Sequence, residues 1–231
     1  KRIYRLAIYV LVLITIIKMD SLFLSGYYSV FMITPYQKEA INGLLLSDGH
    51  VRAPKGNGNS RMEFTFKVSV LDFINWIKFD VLGSICTKSP PTPYPKSSPT
   101  QYWFGTRQLP FITTLHGLWY TLNPLTGKYI KIVPSIVAEA FTGVTLAFWI
   151  MGDGFWEAND KTVLLCTESF TEDEVDFLIS LLKSELGLVA GKKARGSGYR
   201  IRFSRLPDNI TRLRDLTLPH MHPLMIYKLG L

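Results

Sequence analysis

Two stretches of nine residues limit what this chain can become. Leu146 to Gly154, LAFWIMGDG, is an apolar run that stops in one acid between two glycines. Ile41 to Gly49, INGLLLSDG, repeats the plan, with a small residue before Asp48 and a glycine after it. Read as helices, both runs deliver an acid to the C-terminal tip, where the negative end of the helix dipole disfavours a carboxylate and calls for a compensating cation. The acids lie 105 residues apart in a chain of 231, close to half its length. A repeat at that spacing predicts two similar half-domains, each ending its key helix in one acid. Gly43 and Ala147 would allow the two helices to pack closely side by side, which brings Asp48 and Asp153 to one point.

Bulk properties narrow the partners. The chain carries 26 Lys and Arg against 18 Asp and Glu, a net charge of +8, and its isoelectric point near 9.4 fits a polyanionic partner. With 47% hydrophobic and 13% aromatic residues it is an ordered, folded chain rather than a disordered basic tail. It is long enough for one large domain or two small ones with a real core. The two cysteines, Cys86 and Cys166, are expected as free, buried thiols, because a disulfide framework needs more. No zinc-ligand spacing occurs, and His220-Met221-His222 reads as a surface turn between Pro219 and Pro223.

In chain order, Thr34, Pro35 and Gln37 supply an N-cap, a first helical position and a capping box for the first motif helix. Strand-like segments follow at His50–Pro54 and Arg61–Ser69, joined by the hairpin connection 55–59. The second alternates Met62, Phe64, Phe66 and Val68 with Arg61, Glu63, Thr65, Lys67 and Ser69. An amphipathic helix is expected over Val70–Ile85, an irregular five-proline connection over Lys88–Pro99, a strand over Gln101–Gln108, a helix over Pro110–Leu122 and a turn over Asn123–Lys128. The second half repeats the order. It has a short helix at Pro134–Phe141, the motif helix from Thr142 or Gly143, a polar turn at Glu157–Lys161 and a strand at Thr162–Thr167. A capped helix from Thr171 to about Leu186 follows, then a hairpin of Val189–Lys193 and Tyr199–Ser204 around the tip 194–198, and a helix from about Pro207 to Leu216.

At its two motifs the chain resembles the LAGLIDADG homing endonucleases in their single-chain, two-motif form. Leu146, Ala147, Ile150, Asp153 and Gly154 match the nonapeptide, as do Gly43, Leu44, Asp48 and Gly49. Thr167 to Thr171 running into a helix, and the closing Met225 to Leu229, are similar to the yeast-mitochondrial type, and the resemblance spans roughly residues 35 to 231. It implies an α+β fold of two pseudo-symmetric αββαββα-like halves, 34–132 and 133–231, whose antiparallel sheets form a saddle joined at a two-helix interface. It further implies a monomer acting as a pseudo-dimer, encoded in an organellar intron, mitochondrial with chloroplast as the alternative. Residues 1–33 fall outside the match. They hold an 11-residue apolar run from Ala7 to Ile17 behind Lys1, Arg2 and Arg5, and a second from Leu22 to Met32. Eleven residues are too few to span a bilayer, and no small-residue cleavage site follows. This segment is expected to be an exon-derived leader of a longer product.

The chemistry follows from the acids. Two carboxylates brought that close repel unless a cation sits between them, and oxygen-only ligation selects Mg²⁺ (or Mn²⁺) rather than zinc. Asp48 and Asp153 are the expected metal ligands, with the backbone carbonyls of Ser47 and Gly152 beside them, and no small-molecule cofactor is expected. The resemblance adds Lys131 and Lys228, at positions where the family keeps basic residues beside its metal site, to stabilise the phosphate or perturb the attacking water. The basic sheet faces are expected on double-stranded DNA, since a two-stranded ribbon fits the major groove. Their residues are Arg52, Lys55, Arg61, Glu63, Thr65, Lys67, Gln101, Trp103 and Arg107 in the first half. Lys161, Glu168, Lys192, Lys193, Arg195, Arg200, Arg202 and Ser204 carry the second. The expected activity is site-specific, Mg²⁺-dependent double-strand cleavage. The alternative is an intron maturase, with the same scaffold binding intron RNA without needing the acids. An aspartic protease would want Asp-Thr-Gly or Asp-Ser-Gly in a strand-rich context, which is not the pattern here, and a small membrane protein is suggested by the leader alone.

Overall fold

The computed structural model describes residues 33–231. The expected leader, except its last residue, lies outside them. Pro35–Leu231 forms one compact unit. Its first sheet has the strand order β1-β2-β4-β3, from β1 (His50–Arg52), β2 (Arg61–Lys67), β3 (Thr92–Tyr94) and β4 (Gln101–Gly105). Its second has the order β7-β8-β10-β9, from β7 (Gly154–Glu157), β8 (Thr162–Leu165), β9 (Ala190–Arg195) and β10 (Gly198–Phe203). The two orders are the same when counted within each sheet, and every pairing is antiparallel. A small hairpin, β5 (Tyr120–Leu122) with β6 (Tyr129–Lys131), lies between them in sequence. The fold is therefore α+β, with a repeated sheet behind each motif helix.

The motif helices are α1 (Pro35–Leu46) and α4 (Gly143–Asp153), and among the described residues they make the most extensive helix–helix contact. α4 is apolar nearly all round, as a helix buried on every side must be, whereas α1 is buried throughout only in its second half, from Ala40 to Leu46, and exposes Tyr36 and Lys38 before it. From Leu146 to Met151 no residue is more than 1% exposed. Thr142 caps α4, its hydroxyl accepting from the Val144 amide at 3.2 Å. The contact is close because Gly43 has no side chain. A Cβ there would fall 2.3 Å from the Thr145 carbonyl oxygen and 2.6 Å from the Phe148 Cβ. Thr145 bonds across the interface to the Glu39 carbonyl at 3.0 Å. The expected small residue of the second helix, Ala147, is fully buried, and a further close approach is made by Gly152 against Ser47.

Several expectations need correction. Val70–Ile85 is not one amphipathic helix: a 3-10 turn Val68–Val70, α2 (Leu71–Asn75), a π-helical segment Trp76–Val81 and a 3-10 turn Gly83–Ile85 replace it. The run is poor in strong helix formers, and the wider π turn lets the adjacent Ile77 and Lys78 both point inward. The Lys78 ammonium donates to the Thr87 carbonyl at 2.9 Å. Val68, expected on the apolar face of β2, is 43% exposed because the strand ends at Lys67. Four strands lay hidden: β3, β5, its partner β6, and β7. β3 sits within the five-proline connection and is tolerated as an edge strand, where a missing ladder donor costs nothing. β5 occupies the end of the expected helix over Pro110–Leu122, whose observed helix is α3 (Pro110–Trp119). β7 leaves α4 without a loop. The remaining helices are α5 (Glu172–Ser184), with the Thr171–Glu174 capping box formed as expected, and α6 (Pro207–Thr217). His220 and His222 do not form a bare surface turn: the His222 ring packs 5.7 Å from Phe73 and 5.4 Å from Trp76. Cys86 is buried, but Cys166 is only half-buried.

The Gly43 contact sets a stability prediction. Gly43→Ala forces α1 from α4 and should cost about 1–3 kcal/mol in urea unfolding, as overpacking does. Gly117→Ala, inside α3 with nothing within 4 Å of its Cβ, should instead stabilise by about 0.5–1 kcal/mol.

Candidate functional site

The C-terminal ends of α1 and α4 meet. Gly152, next to Asp153, lies so close to the first motif that a Cβ on it would be 2.3 Å from the Ser47 hydroxyl and 3.3 Å from Asp48 Oδ2. The two acids thus share one neighbourhood, as the repeat predicts. The last carbonyls of an α-helix have no intrahelical partner, and here two ammonium groups serve them. Lys131, at the end of β6, donates to the carbonyls of Leu45 at 2.9 Å, Ser47 at 3.0 Å and Gly49 at 2.6 Å. Lys228, in the 3-10 segment Pro223–Leu229, donates to those of Met151 at 2.7 Å and Gly152 at 2.6 Å. That segment is held by Arg214, whose guanidinium donates to the Leu229 carbonyl at 2.8 Å. It ends at Gly230, with φ +73°, where a Cβ would collide with the Trp156 ring.

Electrostatics follow from this crowding. Burial, with Asp48 adding to it, pushes Asp153 up to about 6, against the pull of Lys131 and Lys228. Asp48 has access to solvent, yet burial still raises it, offset by the same two lysines. Burial lowers Lys131 to about 8, and lowers Lys228 as well, with the two acids opposing both shifts. The donor set fits a hard cation, since burial raises two neighbouring carboxylates despite the pull of both lysines. Among the described residues no group of three or more His, Cys, Asp and Glu could hold a metal. Other ligands would have to come from carbonyls, water or a phosphate. The carbonyls of Ser47 and Gly152, expected as such ligands, each already accept a lysine N–H, so one lone pair is left on each. An ammonium has three donors: all three of Lys131 face carbonyls, while Lys228 keeps one.

The sheets sort the remaining candidates by face. The ladder register puts His50, Arg52, Arg61, Glu63, Thr65, Lys67, Gln101, Trp103, Thr92 and Tyr94 on one face of the first sheet. The other face carries Val51, Met62, Phe64 and Phe104, all buried. Every strand residue expected on DNA in this half thus shares the open face; Lys55 sits exposed in the β1–β2 connection and Arg107 exposed beyond β4. In the second sheet Lys193, Arg195, Arg200 and Arg202 share a face with Phe155 and Glu157. Lys161 is exposed in the turn before β8, and Ser204 follows β10. Lys192 is a correction: it pairs across the ladder with the buried Ile201, so it points to the helix side, where it bonds Glu172 and Asp176 of α5.

The cations are also less free than their count suggests. Arg200 pairs with Glu168, Lys193 with Glu157, Arg202 with Asp160, and Arg61 with Glu63. His50, Thr92, Tyr94 and Phe155 were missed. The parity of β1 could have found His50, whose Nδ1 lies 3.2 Å from the Tyr120 hydroxyl, while the prolines hid Thr92 and Tyr94.

The raised Asp153 has a signed consequence. Its folded value lies above its ordinary 3.8, so below about pH 4 both states are protonated and stability is unaffected. Stability is lost as the pH rises to about 6, and the deficit is full above that. In EDTA, Asp153→Asn should exceed the wild type at pH 7.5 by roughly 1–2 kcal/mol after solvent screening. That gap should close at pH 4, as thermal melts at the two pH values would show.

Residues 38–207 match the LAGLIDADG DNA endonuclease family. The chain is similar to the probable intron-encoded DNA endonuclease 3 of Mycosarcoma maydis, 30% identical over 131 residues, which is 55% of this chain and 92% of that protein. It is also similar to the cytochrome b mRNA maturase bI2 of Saccharomyces cerevisiae, 25% identical over 200 residues. That match covers 82% of this chain and 46% of the maturase, so the chain spans about half the length of that relative. Among solved structures it shares the fold of the homing endonuclease I-WcaI bound to its DNA recognition sequence. The TM-score is 0.72 at 24% identity, covering 89% of this chain and 91% of that one. With two motif helices in one chain, a sheet of the same order behind each, and a family match over most of the length, this protein belongs to the LAGLIDADG DNA endonuclease family.

Proposed function

We propose that this chain is a site-specific endonuclease that hydrolyses phosphodiester bonds in both strands of duplex DNA, with a divalent cation, Mg²⁺ or Mn²⁺, at Asp48 and Asp153. One observation carries the reading: the two acids converge at the ends of two tightly packed helices, each followed directly by the first strand of an open-faced sheet. A divalent cation bound there supplies Lewis acidity toward the phosphate and acidifies water. The chain's own residues do the rest. Asp48 and Asp153 hold the cation, Lys131 fixes the turn that presents Asp48, and Lys228 fixes the end of α4. Of these two lysines, Lys228 is the one with an N–H left to meet a phosphate oxygen. The open faces lie along the DNA on either side, with their Arg, Lys and Gln side chains on base edges and phosphates. Residues 34–132 and 133–231 act as the two halves of a pseudo-dimer in one monomer. The relatives named for introns and for a cytochrome b mRNA favour an organellar, mitochondrial intron as the source.

The maturase relative favours a second reading, in which the scaffold binds intron RNA and needs neither acid. Cleavage of a plasmid carrying the joined-exon target separates the two. Asp153→Asn should lower the cleavage rate by at least about 100-fold, the scale of losing an electrostatic stabiliser, while binding in Ca²⁺ is retained. Binding to intron RNA that survives this change, with no cleavage by the wild type, would establish the maturase instead.

A further inference from the structure

The outer strands of the two sheets present different chemistry to whatever lies on them. In the second sheet the open face of β9 and β10 carries Lys193, Arg195, Arg200 and Arg202 and no aromatic residue. In the first, β3 and β4 present Thr92, Tyr94, Gln101 and Trp103 on that face and no charge. These side chains line a cleft of about 640 Å³ with Thr65, Pro93, Pro95 and Lys96. Its floor is the Trp103 indole, which lies along the strand over Gly105, where a Cβ would sit 3.4 Å from Cζ2. Arg61 stacks on that indole at 5.2 Å. Its wall is Tyr94, 63% exposed. Lys67 is paired in register with Gln101 beside the cleft, and Lys96 lines it, so cations adjoin an apolar hollow on the face assigned to DNA.

The major groove offers one apolar group, the C5 methyl of thymine, whereas guanine and adenine present polar atoms that a hollow of this kind would strip of water without replacing. Resting on the DNA-binding reading above, we propose that the Tyr94–Trp103 cleft is a thymine-methyl subsite. On this proposal the half-site under the first sheet is read at its outer flank by apolar contact, and the half-site under the second by cations. The amide of Gln101 beside the cleft suits the adenine of the same or the adjoining pair. β1 begins two residues after Asp48 and lies at the opposite edge from β3, roughly 14 Å away at the usual strand spacing. The thymine therefore belongs to the flank rather than to the cut.

Selection from a randomised duplex library by the full chain in Ca²⁺ tests this. The expected result is a bound motif with thymine at one outer flank. Replacing that thymine by deoxyuridine should weaken binding about four-fold, the cost of one buried methyl at about 0.8 kcal/mol. Tyr94→Ala, at an exposed position, should erase both the thymine preference and the sensitivity to deoxyuridine while leaving the other flank unchanged; Tyr94→Phe should keep both. An enriched motif without flank thymine, equal binding of deoxyuridine, or a thymine preference that survives Tyr94→Ala each overturns the subsite alone. Enrichment of no sequence would remove the DNA reading and the subsite together.

Discussion

Two carboxylates at the carbonyl ends of two buried helices are unstable by themselves, and much of the molecule answers that problem. The helix ends expose unpaired carbonyls, the acids add charge of the same sign, and burial strengthens both effects. Lys131 and Lys228 reach the same place from unrelated elements, one from a strand and one from a 3-10 segment near the C-terminus. Each serves backbone carbonyls first, so its charge lowers the cost of an acid next door without forming a direct ion pair. That arrangement leaves the carboxylates available. A lysine bonded to the carboxylate itself would neutralise it.

The helix contact that brings the acids together is matched position by position. Counting along the two motifs, Gly43 occupies the place of Phe148, and Ser47 the place of Gly152. Across the interface the partners are the same pairs: the missing side chain of Gly43 admits Phe148, and that of Gly152 admits Ser47. Each close approach therefore needs one glycine and one filled partner, which a single chain can encode differently in its two halves. Phe148 is fully buried, with Trp76 stacked on it at 5.4 Å and Tyr36 edge-on at 6.1 Å. The asymmetric pair is thus locked by aromatic packing from the first half.

Much of this was legible in the residues, and the parts that were not share a cause. The motif helices, the convergence of Asp48 and Asp153, and the open face of β2 follow from periodicity and repeat spacing, because burial imposes those patterns directly. The close approach of Gly152 to Ser47 was not singled out, since which small residues meet the partner depends on the rotation of the helix about its axis. β3 was hidden because proline argues against a strand unless the strand is known to be an edge, and edge position is a tertiary fact. Lys192 was misassigned because Lys192-Lys193 reads as one basic patch, although adjacent strand residues must point to opposite faces. Its two acidic partners on α5 are sequence-distant and left no local signal.

The same geometry changes what the net charge of +8 means. Five basic residues of the open faces, Arg52, Arg61, Lys193, Arg200 and Arg202, stand against carboxylates on or beside their own sheets. Exposed pairs of this kind contribute little stability, so their presence is better understood through orientation. A carboxylate beside each cation holds it in one rotamer and, on the proposed reading of these faces, would reduce the freedom lost on meeting a base edge. It also weakens attraction to phosphates generally, because part of each charge is already screened. A face built from paired cations binds any duplex less tightly than one of free lysines, yet discriminates better between duplexes. Such a balance suits a protein that must ignore nearly all the DNA it meets.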